Sequence, residues 1–87
     1  MQAYTKLYMK HFGYGIDDVV PCEICQSKAT DIHHIHGRGK DKDVIENLMA
    51  VCRKCHANIH DKEMFAKGEL QLIHNYKLAG KPQNFMR

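Results

Sequence analysis

The apolar positions of the chain fall into short periodic stretches separated by glycine-rich and charged spacers. Tyr4, Leu7, Tyr8 and Phe12 recur at three- and four-residue intervals, which line one face of a helix, so residues 3–12 are predicted to form a short amphipathic helix. Gly13 and Gly15 end it. Pro21 opens a tight turn through Cys22 and Cys25. From Ala29 to Ile35 the pattern alternates roughly as a strand, Gly37 to Asp43 reads as a loop, and Leu48 to Val51 reads as a second, shorter strand. Arg53 to Asp61 is predicted to be helical, because only helical spacing aligns His56 with His60. Residues 62–80 form a C-terminal helical segment in which Phe65, Leu72, Ile73 and Tyr76 make the expected apolar stripe and Gly68 is its weak point. Lys81 to Asn84 reads as a terminal loop. Both flanking helices are read as packing cover for a small core.

A chain of 87 residues sets the scale of one domain, here taken as 1–87 with a working segment at 22–60. At that size an apolar core leaves little net stability, and small domains usually add a disulfide, a metal or a partner. Trp is absent and the aromatics cluster near the two ends, so the middle is expected to be held by something other than a packed core. With 4 Cys and 7 His, metal is the first candidate.

The formal charge of +3 is too small to identify a nucleic-acid binder by itself. Position says more: Arg38, Lys40, Lys42, Arg53 and Lys54 flank the cysteine and histidine motifs, although Asp41, Asp43 and Glu46 dilute the run. No stretch has the character of an export signal or a membrane span. A cytoplasmic, reducing location is the expectation, and there four cysteines are metal ligands more often than disulfides.

Cys22-x2-Cys25 and Cys52-x2-Cys55 are two paired thiolate turns, with residues 26–51 between them. A C-x2-C turn brings two sulfurs to one tetrahedral ion, and two turns close the shell, which defines a structural zinc rather than a catalytic one. The gap exceeds the roughly 15–20 residues of a compact zinc ribbon, and a strand, loop and strand fill the excess. Two alternatives stay open: a pair of disulfides, and a set of Cys22, Cys25, His56 and His60 that would strand the other two cysteines.

The histidines form a second constellation. His56 and His60, four apart on a helix, project from one face and can hold one ion. His33 and His34 are adjacent on a strand, where ideal geometry points them to opposite faces. Either the backbone bends there, or one serves as ligand and the other as base. His36 shares strand parity with His34 but sits beside Gly37, where a polar loop residue is expected. His11 and His74 stand alone in helices and are read as surface or core residues.

The run C-E-I-C … D-I-H-H-I-H … E-N-L-M-A-V-C-R-K-C-H-A-N-I-H resembles the HNH endonucleases over residues 22–60. That resemblance implies a small α+β, ββα-metal fold with a structural zinc. It implies His34 as general base, His33, His56 and His60 as ligands of one catalytic divalent ion, and Asn47 as the brace of the loop that orients the base. Many members have Asp where His33 stands, so the working ion stays open among Mg²⁺, Mn²⁺, Ni²⁺ and Zn²⁺. Hydrolysis of nucleic acid, DNA foremost, is the implied activity, with Arg38, Lys40, Arg53 and Lys54 as phosphate contacts. A dimer or a phage or host protein would be the partner. The competing reading is a non-catalytic zinc-stapled module that binds nucleic acid or serves in phage assembly.

Overall fold

The computed structural model describes residues 2–39, 41–61 and 64–83. In chain order the elements are α1 (Ala3–Phe12), β1 (Asp31–His34), a 3₁₀ turn (Ile45–Asn47), β2 (Leu48–Val51), α2 (Arg53–Asp61) and α3 (Lys67–Leu78). α1 stops where Gly13 takes a left-handed φ of 76°, which lets the Tyr14 N–H donate to the Met9 carbonyl at 2.8 Å. β1 and β2 pair antiparallel, with Asp31 opposite Val51, Ile32 opposite Ala50, His33 opposite Met49 and His34 opposite Leu48.

All of β2 is buried, and its two faces feed two separate cores. Met49 and Val51 pack with Cys22, Ile24, Ile35, Cys55, Leu70 and Ile73, with Ile59 of α2 against them. Leu48 and Ala50 pack with Tyr8 of α1 and with Ile32. Strand alternation therefore puts α2 and α3 on one side of the hairpin and α1 on the other. Each fully buried large aliphatic side chain contributes about 1.5–3 kcal/mol. The middle of the chain thus carries an aliphatic core of its own, contrary to what its lack of aromatics implied.

Three elements and the C-terminal segment meet on one buried carboxylate. Glu23 Oε2 accepts from the Tyr8 hydroxyl at 2.7 Å and the Ala50 N–H at 3.1 Å. Its Oε1 accepts from His74 Nδ1 at 2.8 Å and Gln83 Nε2 at 3.0 Å. The other ring nitrogen of His74 lies 2.6 Å from the Ile45 carbonyl, and since a carbonyl and a carboxylate only accept, both nitrogens donate. Glu23, Tyr8 and His74 are all fully buried. Burial, followed by the Glu23 charge, pushes the Tyr8 phenol well above its ordinary range, so the hydroxyl stays a donor. Removing one partner of such a buried pair leaves the other charge uncompensated. Glu23→Ala is therefore expected to cost about 3–5 kcal/mol, read as a lower urea midpoint of the zinc-loaded protein; an unchanged midpoint contradicts the account.

Several expectations need correction. The strand predicted over 29–35 is confined to Asp31–His34: the Ala29 N–H turns away to the Val20 carbonyl, while the flanking Thr30 and Ile35 N–H groups still reach the Val51 and Asn47 carbonyls. On α3 the buried residues are Leu70, Ile73 and His74, whereas Leu72 is 54% and Tyr76 38% exposed, so the predicted stripe is rotated. Gly68 does not break that helix; it lies in its first turn, where the backbone N–H groups need no helical partner. Lys62, Glu63 and Asn84 lie outside the described residues; residues 81–83 form the expected loop, from which the Gln83 side chain reaches inward to Glu23.

Candidate metal centre and active site

The first C-x2-C pair sits in a knuckle between Pro21 and Lys28, which bridge each other. The turn is closed by Cys22 N–H to Ser27 O at 2.6 Å and Gln26 N–H to Cys22 O at 2.9 Å, with Gln26 at φ 68°. The second pair opens α2, where Cys52 Sγ accepts the Cys55 N–H at 3.4 Å and so caps the helix. The four sulfurs lie within 4.8 Å of one another, and Cys25 and Cys52 Sγ are 3.7 Å apart. Four sulfurs at ~2.3 Å from a tetrahedral ion are about 3.8 Å apart, so the donor set fits zinc in type, number and spacing.

Ionisation points the same way. Burial pushes the Cys25 thiol up, but hydrogen bonds from Ser27 and from Cys52 and Cys22 outweigh it and bring it down to about 6. Burial drives the Cys22 and Cys55 thiols upward, and neighbouring thiols add to this at Cys55. The Cys25 thiolate forms readily, whereas Cys22 and Cys55 resist ionisation until a cation arrives. All four are free thiols, so the disulfide alternative is not what this fold builds. The Cys2His2 alternative fails too, since His56 belongs to a different cluster.

That second cluster joins His33 of β1 to His56 and His60 of α2, with one nitrogen of each within 4.8 Å of the others. His56 Nε2 and His60 Nε2 are 3.1 Å apart. Two nitrogens at ~2.0–2.1 Å from one ion lie about 2.9 Å apart at right angles and about 3.4 Å at the tetrahedral angle, so the pair fits a shared ion. The three rings sit roughly edge to face, with centroids 4.7–5.3 Å apart. Burial, then repulsion from the charged forms of His56, His60 and His34, lowers the His33 pKa to about 4, which keeps its lone pair available at neutral pH.

His56 has a carboxylate behind it. Its Nδ1 is 2.9 Å from Asp31 Oδ2, and the same carboxylate takes Arg53 Nε at 3.1 Å and Nη2 at 3.2 Å. Burial opposes ionisation of Asp31, but hydrogen bonds from Arg53 and His56 outweigh it and lower its pKa. As an acceptor only, it makes Nδ1 the protonated nitrogen of His56 and leaves the lone pair on Nε2.

His34 faces the other way. Its ring meets the Tyr4 ring of α1 edge-on, with centroids 4.7 Å apart, and its Nε2 is 2.8 Å from Asp43 Oδ1. The His34 side chain is only 4% exposed while Asp43 is 56% exposed. The adjacent histidines thus keep ideal strand geometry, one toward α2 and one toward α1. Both still border the same two clefts. One, of about 640 Å³, is lined by His33, His34, His60, Phe65 and Leu70. The other, of about 240 Å³, runs past His33, His34, Arg38, His56 and His60.

Asn47 ties the intervening loop. Its Oδ1 accepts the His36 N–H at 2.7 Å, and its Nδ2 donates to the Gly37 and Lys42 carbonyls at 3.2 and 2.9 Å. Every polar atom of that buried side chain is used on the segment between His34 and Asp43. His36 turns outward to Gln71, 2.8 Å away, and lies in a separate cleft. Arg38, on the glycine-flanked turn where Gly37 has φ 89° and Gly39 φ 144°, stands over the Tyr4 ring and donates to its hydroxyl at 3.0 Å. Lys54 is exposed on α2, and Lys40 lies outside the described residues.

Three contributors were not singled out from the sequence: Tyr4, Asp31 and Asp43. Asp31 shares strand parity with His33, a signal that could have found it; Tyr4 and Asp43 left no local signal.

A zinc-type sulfur cage, an antiparallel hairpin and a helix that crosses it to present imidazoles define a ββα-metal module within a small α+β fold. Residues 22–62 match the family model described as HNH endonuclease, so this segment of the chain is similar to that family. No curated protein and no solved structure matches the chain. Among the described residues, no helix is long and apolar enough to cross a membrane.

Proposed function

We propose that this chain is a metal-dependent endonuclease that hydrolyses phosphodiester bonds, with DNA as its substrate. The observation that carries the reading is the convergence of His33, His56 and His60 on one point, with His34 beside them on the rim of the same clefts. Three imidazoles leave positions open on a divalent ion, in contrast to the closed sulfur set. Such an ion, when bound, neutralises charge building on the phosphate and the leaving oxygen.

The chain's own residues supply the rest. The Asp43 carboxylate accepts from His34 Nε2–H, which leaves the lone pair on Nδ1. That nitrogen takes a proton from water while the water oxygen bonds to phosphorus, and the bond to the 3′ oxygen breaks as that oxygen takes a proton from a second, solvent water. Asn47 holds the loop joining His34 to Asp43 in register. Arg38, which lines the smaller cleft, meets the phosphate backbone, with Lys54 and Lys40 as weaker contacts. Such contacts are insensitive to base sequence and are screened by salt.

Nicking of supercoiled plasmid by the zinc-loaded protein is expected to require added Mg²⁺, Mn²⁺, Ni²⁺ or Zn²⁺ and to stop with excess chelator. RNA of the same sequence, run in parallel, tests the substrate class. No cleavage of either with any of these ions would leave a non-catalytic zinc-stapled module that binds nucleic acid.

A further inference from the structure

We infer that Asp31, clamped by Arg53, is a positioning residue that fixes the ring orientation and tautomer of His56. The inference rests on the reading of His33, His56 and His60 as ligands of one ion. Asp31 lies two positions before His33 on β1 and so shares its face, the side on which α2 lies. Arg53 and His56 are three apart on α2 and so share a face as well. The carboxylate meets both, at 2.9 Å to His56 and at 3.1 and 3.2 Å to two nitrogens of Arg53.

The arrangement is poorly explained as a stability device. The Arg53 side chain is 80% exposed, and ion pairs in that setting contribute about 0–1 kcal/mol. The His56 side chain, by contrast, is 25% exposed and that of Asp31 18%, so their hydrogen bond is shielded from water. Two donors from Arg53 fix the plane of the carboxylate, and the carboxylate fixes the ring plane of His56. With Nδ1–H committed to Asp31, Nε2 is left to face His60 and His33. A carboxylate behind a ligating imidazole also raises its basicity, and loss of such a partner typically weakens metal affinity about 10–100-fold. Two of the Arg53 donors are thereby spent on Asp31, which gives this arginine a role at the metal centre beside the phosphate contact its remaining donors can make.

The test uses the full chain with zinc confirmed in the sulfur site, titrated calorimetrically with Ni²⁺. Asp31→Asn is expected to weaken Ni²⁺ binding by about 10–100-fold at unchanged zinc content, and Arg53→Ala to weaken it less. In a His56→Ala background Asp31→Asn is expected to cause no further loss, because coupled residues are not additive. In the metal-free parent, ¹⁵N NMR is expected to show His56 as the Nδ1–H tautomer, with the other tautomer appearing in Asp31→Asn. Equal Ni²⁺ affinity in parent and Asp31→Asn, or the same loss with and without His56, overturns the inference while the ion site stands. A parent that binds no ion overturns the site reading itself. Should Asp31→Asn fail to fold, unaltered affinity in Arg53→Ala overturns the clamp.

Discussion

His34→Ala is expected to nick plasmid DNA about 10²–10⁴-fold more slowly than the parent, the usual contribution of a positioned general base. Zinc content and Ni²⁺ affinity should stay at parental values. The separation is built into the strand: His34 faces Tyr4 and Asp43, while the three converging imidazoles lie toward α2. Truncating its ring opens space next to two clefts that already admit solvent, so the hairpin, held by four register pairs, persists. A variant that cuts at the parental rate would remove His34 from the chemistry.

Cys52→Ala is expected to lose the zinc and the fold together. Structural zinc sites of this kind contribute about 10–16 kcal/mol of apparent binding energy, against a net stability of about 5–15 kcal/mol for a typical domain. Cys52 also caps α2 through the Cys55 N–H, so its loss frees the end of the helix that carries His56 and His60. Far-ultraviolet dichroism should show loss of structure, metal analysis no retained zinc, and calorimetry no Ni²⁺ binding. A folded, zinc-free Cys52→Ala protein would overturn the structural role of the cage. The two variants dissect the molecule: one removes chemistry and spares the shape, the other removes the shape and everything hung on it.

The elements were legible wherever the signal was local. α1 occupies the stretch that Tyr4, Leu7, Tyr8 and Phe12 marked out, β2 is the apolar run 48–51, and α2 begins directly after Cys52. Spacing of i and i+4 on a helix and of C-x2-C in a turn is set by backbone geometry alone, so these signals survive without knowledge of the fold. α3 shows the limit. Its apolar residues lie on more than one face, and the buried one is whichever docks; here that is the face carrying Leu70, Ile73 and His74, because Glu23 and the Ile45 carbonyl wait for the His74 ring.

The carboxylates were less legible than the imidazoles they serve. Asp31 and His56 are 25 positions apart, and Glu23 and His74 are 51 apart. A carboxylate in a charged sequence looks alike whether it meets water or a ring nitrogen, and only chain closure distinguishes the two.

By itself, the sequence determined the local elements and the kind and number of candidate metal donors, because covalent geometry and helical or strand period act over a few residues. Tertiary structure decided the partners. Docking α2 on one face of the hairpin and α1 on the other sent His33 to the cluster with His56 and His60 and His34 to Tyr4 and Asp43, an assignment that strand alternation permits in either sense and only burial of Met49 and Val51 on one side, and Leu48 and Ala50 on the other, resolves.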